Sequence, residues 1–158
     1  MDHDALLRKQ LVRLLTSGEA HVDFDAAIED LPENLRSKTA AGAEHSAWQL
    51  VEHMRIALWD IVEFSRNSQH VSPKWPDEYW PNSPEPPNAK AWDETVAAIR
   101  ADIKVFAALI SDKDTDLYAK IPHGDGQTIL REALLAADHN AYHIGQLVLV
   151  RRLLGAWK

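Results

Sequence analysis

Residues 89–111 read AKAWDETVAAIRADIKVFAALIS. Trp92, Val96, Ile99, Ile103, Phe106 and Ile110 follow one another at alternating steps of four and three, which keeps them on one stripe of a helix turning every 3.6 residues. Such a stripe must be buried against other elements, and the flanking sequence supplies them. The spacing predicts a first helix over about 3–16, with Leu7, Leu11 and Leu14 on one face and a stop at Thr16-Ser17-Gly18. A short amphipathic piece follows at about 23–30, closed by Leu31-Pro32. A second long helix runs from Ser46, a good N-cap, to about Ser65, with Leu50, Met54, Ala57, Ile61 and Phe64 as its apolar residues. The stripe over 89–111 is the third helix. A fourth runs from near Thr128 to just before Gly155, a good residue to end it. No segment has strand alternation. Four such helices predict an all-α four-helix bundle, in one domain spanning residues 1–158.

The connection between the second and third helices is unusual. Residues 66–88 hold six of the eight prolines, together with Trp75, Tyr79 and Trp80. Proline at that density excludes a helix, and a structureless connection this long is seldom idle. About 23 extended residues at ~3.3 Å each can return along a helix ~30 Å long, which would let the second and third helices lie parallel. An aromatic-anchored cover over one end of the bundle is the other reading of the same stretch.

Composition narrows the function. With 158 residues, 46% hydrophobic and 26% charged, the chain has the make-up of an ordinary globular protein with a sizeable core. The net charge of −7 argues against nucleic acid or an anionic membrane surface as the main partner, because both require a basic face. There is no cysteine, which excludes disulfides, thiolate nucleophiles and Cys-ligated zinc. The start, Met-Asp-His-Asp-Ala, lacks the basic and apolar regions of a signal peptide, and no apolar run reaches the ~20 residues of a membrane span. The expected location is the cytoplasm.

Chemistry enters with the histidines. His139 and His143 are four apart in the fourth helix, hence about 40° apart in projection and about 6 Å along the axis. Two imidazoles so placed can close on one metal ion at ~2.0–2.1 Å. Their face also carries Glu132, Leu135, Ala136, Gln146 and Val150, so it is expected to point inward. His53 of the second helix, on a face with Ser46, Gln49, Leu50, Ala57, Asp60 and Phe64, is a third candidate. Three such ligands would leave a position for water or substrate, as in a catalytic site. Gly145, beside His143, would let another backbone approach. The spacing also fits a solvated or core-satisfied histidine pair. It is not a zinc-protease motif, since Asn140 stands where the general-base glutamate would be.

The stretch HSAWQLVEHM at 45–54, followed far downstream by DHNAYHIGQ at 138–146, resembles the DinB-like superfamily, which includes YfiT-type metal-dependent hydrolases. The resemblance spans the chain: one histidine on the second helix, a long crossover, and His-x-x-x-His on the fourth. It implies a bundle in up-down-down-up order, commonly a homodimer, holding zinc or nickel through His53, His139 and His143. Relatives include S-transferases and isomerases that use a low-molecular-weight thiol. The expected function is therefore metal-dependent chemistry on a small molecule. Thiol-dependent transfer leads, with hydrolysis and non-catalytic metal or small-ligand binding as alternatives.

The remaining polar residues have plainer readings. His45 lies eight residues before His53 and is expected to cap or pack at the helix start. Asp60 and Glu132, each seven residues from a candidate ligand, are too far to ligate and are expected in a buried ion pair or hydrogen bond. Gln146 is placed to orient a ligand imidazole or simply to pack. His123 is expected to be an exposed loop residue, and His3, His21 and His70 have no context that suggests chemistry. Most tryptophans are expected to be core or loop anchors.

Overall fold

A computed structural model describes residues 2–157, so Met1 and Lys158, the ends of the expected domain, lie outside the described residues. It is all-helical. The elements are α1 (His3–Thr16), α2 (Phe24–Ile28), α3 (Glu33–Arg36), α4 (Ala47–Arg66), α5 (Ala91–Ser111) and α6 (Ile129–Leu153), with a 3-10 turn at Asp77–Tyr79. No strand occurs among the described residues; the nearest thing is an isolated bridge between Lys120 and Thr128.

Three of the four long helices begin with an N-cap side chain that accepts from an orphaned N–H group, whereas Lys90 gives α5 no such cap. Asp2 accepts from the Ala5 amide and Thr128 from the Arg131 amide. Ser46 and Gln49 form a full capping box at the start of α4. At the other end of α6, Gly155 takes φ +70°, the left-handed conformation that terminates a helix at least cost in glycine.

The expected stripe on α5 is the centre of the core. Trp92, Val96, Ile99, Phe106 and Ile110 are buried, and Ile103 is partly so. They meet Leu50, Met54, Leu58 and Ile61 of α4 and Leu147 and Ile144 of α6 in one apolar cluster. Phe64, another of the apolar residues of α4, is partly buried. α4 packs against both α5 and α6, and α1 packs against the same two helices. The face of α1 is a correction: Leu11 and Leu15 are buried but Leu14 is 45% exposed. The reason is Arg8, which is buried and turns the inward face toward 8, 11 and 15. Its guanidinium donates to the carbonyls of Ile110 in the last turn of α5 and of Asp112 and Thr115 just beyond it.

Two contacts register the helices that flank the histidines. Thr95 of α5 donates to Glu52 of α4 at 2.7 Å, and His123, just before α6, lies 2.7 Å from the Phe64 carbonyl near the end of α4. The crossover from α4 to α5 is tied down along α4, with Ser46 Oγ donating to the Pro84 carbonyl at 2.8 Å. No helix among the described residues is long and apolar enough to cross a membrane.

Candidate metal centre

His53 sits in the second turn of α4, and His139 and His143 sit one turn apart on α6. Because α4 and α6 pack face to face, the three imidazoles meet. Nε2 of His53 is 3.0 Å from Nε2 of His139 and 3.1 Å from Nε2 of His143. One nitrogen from each ring lies within 4.8 Å of the others. His53 and His143 are buried and His139 is half-buried.

The outer nitrogens decide which way the protons lie. Nδ1 of His53 is 2.8 Å from the Tyr79 carbonyl, which can only accept, so Nδ1 carries the proton and Nε2 keeps its lone pair. Nδ1 of His143 donates in the same way to Gln146 Oε1 at 2.7 Å. Burial pushes the pKa of His53 and of His139 down to about 4, and the neighbouring imidazoles add to the effect in both. Burial also lowers His143. All three rings are therefore neutral at pH 7, with lone pairs of His53 and His143 turned toward each other at 3.1 Å.

Lone pairs facing at that distance repel unless a cation lies between them. Two nitrogens each ~2.0–2.1 Å from one ion, at angles of about 90–110°, are separated by ~2.9–3.4 Å, and both measured distances fall in that range. The donor set fits a divalent ion. Three neutral imidazoles suit zinc and nickel, and the acceptors behind Nδ1 of His53 and of His143 are the usual outer partners of metal-binding histidines.

An aromatic wall closes one side. Trp80 stacks on His53 with centroids 3.7 Å apart and planes within 3°, and His45 stacks on the far face of the same indole at 4.0 Å. Trp80, His45 and His143 also line a cleft of about 440 Å³, together with Glu44, Tyr142 and Gln146. A ligand in that cleft would touch a histidine of the cluster. On the core side, Met54, Asn140 and Ile144, each one residue past a histidine of the cluster, line a separate cavity of about 130 Å³.

The other sequence expectations fare unevenly. His45 packs rather than joining the cluster, as expected. Asp60 is hydrogen-bonded, to His70 and to Tyr79, and Glu132 is buried in an ion pair with Arg131. Gln146 takes the orienting role. His123 is exposed, but ends on the Phe64 carbonyl. Gly145 needs correction: a Cβ there would meet nothing within 4 Å, so no segment among the described residues uses the gap. Trp75 is 71% exposed and touches only Tyr79 among the aromatic pairs, so it anchors nothing in the core. Two contributors escaped sequence reasoning. One is the Tyr79 carbonyl, a main-chain group with no side-chain signature. The other is the Trp80 ring over His53, whose only signal was the aromatic content of the crossover.

A family model described as the DinB superfamily matches residues 19–147, a span that includes all three histidines and the crossover. No curated protein and no solved structure matches the chain.

Proposed function

This chain belongs to the DinB superfamily, and from that premise we propose that His53, His139 and His143 hold one divalent ion, zinc or nickel, in an enzyme that transfers a low-molecular-weight thiol to a small electrophile. The observation that carries the reading is the convergence of neutral imidazole nitrogens at 3.0 and 3.1 Å, with the acceptors behind His53 and His143 fixing their lone pairs inward. Three protein ligands leave coordination positions open, which suits catalysis better than a closed structural site. The cleft beside His143 gives a substrate somewhere to lie.

Bound there, the ion would supply Lewis acidity, lowering the pKa of a thiol or a water. The chain has no cysteine, so sulfur must come from a cosubstrate. In the transfer, the thiol gives its proton to solvent, sulfur bonds to the electrophilic carbon, and the bond from that carbon to the leaving group breaks, the leaving group taking its electron pair. The protein's part is positional. Tyr79 and Gln146 hold the Nδ1 protons of His53 and His143, and Trp80 shields one face of His53 from water. Among the described residues the lining of the cleft includes Glu44 and no lysine or arginine, which disfavours substrates with several negative charges.

The family premise also carries a four-helix bundle in up-down-down-up order within one domain, working as a homodimer. The pairing of Glu52 with Thr95 supports a parallel α4 and α5, and Arg8 on the last carbonyls of α5 supports an antiparallel α1 and α5.

Turnover by protein purified without a polyhistidine tag, loaded with zinc or nickel and given a panel of thiols and electrophiles, tests the activity. Consumption of electrophile that requires both metal and thiol is expected. Metal-dependent consumption without thiol would replace transfer by hydrolysis, and metal binding without any turnover would leave a non-catalytic bundle.

A further inference from the structure

The crossover and α4 meet at a second cluster, two helical turns from His53. Asp60 presents both carboxylate oxygens to the crossover. Oδ1 is 2.7 Å from Nε2 of His70, and Oδ2 accepts from the Tyr79 hydroxyl at 2.5 Å. One side chain thus grips the loop at points ten and nineteen residues further along the chain. His70 is wedged edge-on against Trp59, with centroids 4.9 Å apart. Tyr79 is held at both ends by the same helix, its hydroxyl by Asp60 and its carbonyl by Nδ1 of His53.

We propose that Asp60 is a positioning residue for the metal centre, a latch that holds the Tyr79 carbonyl on His53 and thereby fixes the imidazole tautomer able to bind metal. The inference rests on the three-histidine reading above. A neutral imidazole with no partner at Nδ1 samples both tautomers, and the form protonated at Nε2 cannot ligate through Nε2. The carbonyl that suppresses that form belongs to the last residue of a single 3-10 turn, where no backbone N–H among the described residues pairs with it. Its placement therefore depends on side-chain ties. The two hydrogen bonds to Asp60 are to a carboxylate, the stronger kind, and the Tyr79 ring transmits one of them to its own backbone. Asp60 touches no ligand atom itself. Its effect on the metal passes through Tyr79, in the way outer partners of ligand histidines act.

The experiment uses the full chain and two variants, Tyr79→Phe and Asp60→Ala. The first keeps the ring and the carbonyl and removes only the tie, so it guards against the case where the second fails to fold. Affinity for zinc and for nickel is measured against a competing chelator. A variant with a comparable loss of melting temperature far from the site, Ile110→Val, serves as the control. Both latch variants are expected to bind roughly 10–100-fold more weakly than wild type, with the control unchanged. Separately, ¹⁵N shifts of the His53 ring are read in metal-free protein at pH 8. Wild type should be a single Nδ1–H tautomer, and the latch variants a mixture of two. Wild-type affinity and a single tautomer in Tyr79→Phe would overturn the latch. If wild type itself binds no metal, the three-histidine reading fails, and the tautomer readout still decides whether Asp60 controls His53.

Discussion

At neutral pH the rings of His53 and His139 are uncharged in the fold, because burial holds both near pKa 4 while the unfolded chain titrates near ~6.5. The sign of the consequence follows. Between those values the unfolded state binds more protons than the folded one, so stability rises with pH there. The metal-free protein should keep its full stability above pH 6.5 and lose it progressively as pH falls toward 4. In His53→Gln with His139→Gln the slope should be visibly flatter. Denaturant melts at a series of pH values read both, and equal slopes in wild type and the double variant would mean the rings are not buried together. The two α6 histidines were legible because a spacing of four puts two side chains on one helix face whatever surrounds them. The acceptor for His53 was not. A main-chain carbonyl can come from any residue, and only the folded crossover brings Tyr79 there.

Helix α4 carries the most readable local signals, and they can be tested singly. Ser46 caps the helix in a capping box with Gln49 and also donates to the Pro84 carbonyl. Ser46→Ala should cost about 1–2 kcal/mol, the upper part of the range for a cap, and leave metal stoichiometry intact. A change below about 0.3 kcal/mol would mean that neither tie contributes. The crossover makes a sharper contrast. Trp80 stacks on His53, so Trp80→Ala should destabilise by about 1–3 kcal/mol, short of the ~3–5 of a fully buried aromatic. Exposed Trp75 should tolerate alanine within about 0.5 kcal/mol. Equal melting temperatures for the two variants would contradict the docking of the loop. At this scale the periodicity of α5 was legible because nearly the whole stripe is buried. It misled on α1, where a buried arginine rather than leucine sets the inward face.

For the molecule as a whole, stability rests on Phe106 and its neighbours and on two buried arginines that tie distant segments. Arg151 of α6 donates to the carbonyls of Ala27 near the end of α2, of Glu29 just after it and of Ala156, and stands 4.8 Å from the Trp157 ring. Neither arginine is distinguishable in sequence from a solvated one, since what buries them is the convergence of helix ends distant in sequence. The all-helical class was legible from the absence of any period-two pattern, and a shared core from four amphipathic segments. Phe106, wholly buried, should cost about 3–5 kcal/mol on truncation to alanine, read as a drop in global stability by denaturant melting. If the loss is under about 1 kcal/mol, the core is not centred on α5. The central claim belongs to this scale too, because it is a count per chain. Elemental analysis of tag-free protein, dialysed after loading with zinc or nickel, should find one ion per chain in wild type. It should find none in the triple variant His53→Ala, His139→Ala, His143→Ala, provided circular dichroism shows its helices intact. A folded triple variant that keeps the wild-type metal content, or a wild type that keeps none, would contradict the three-histidine site.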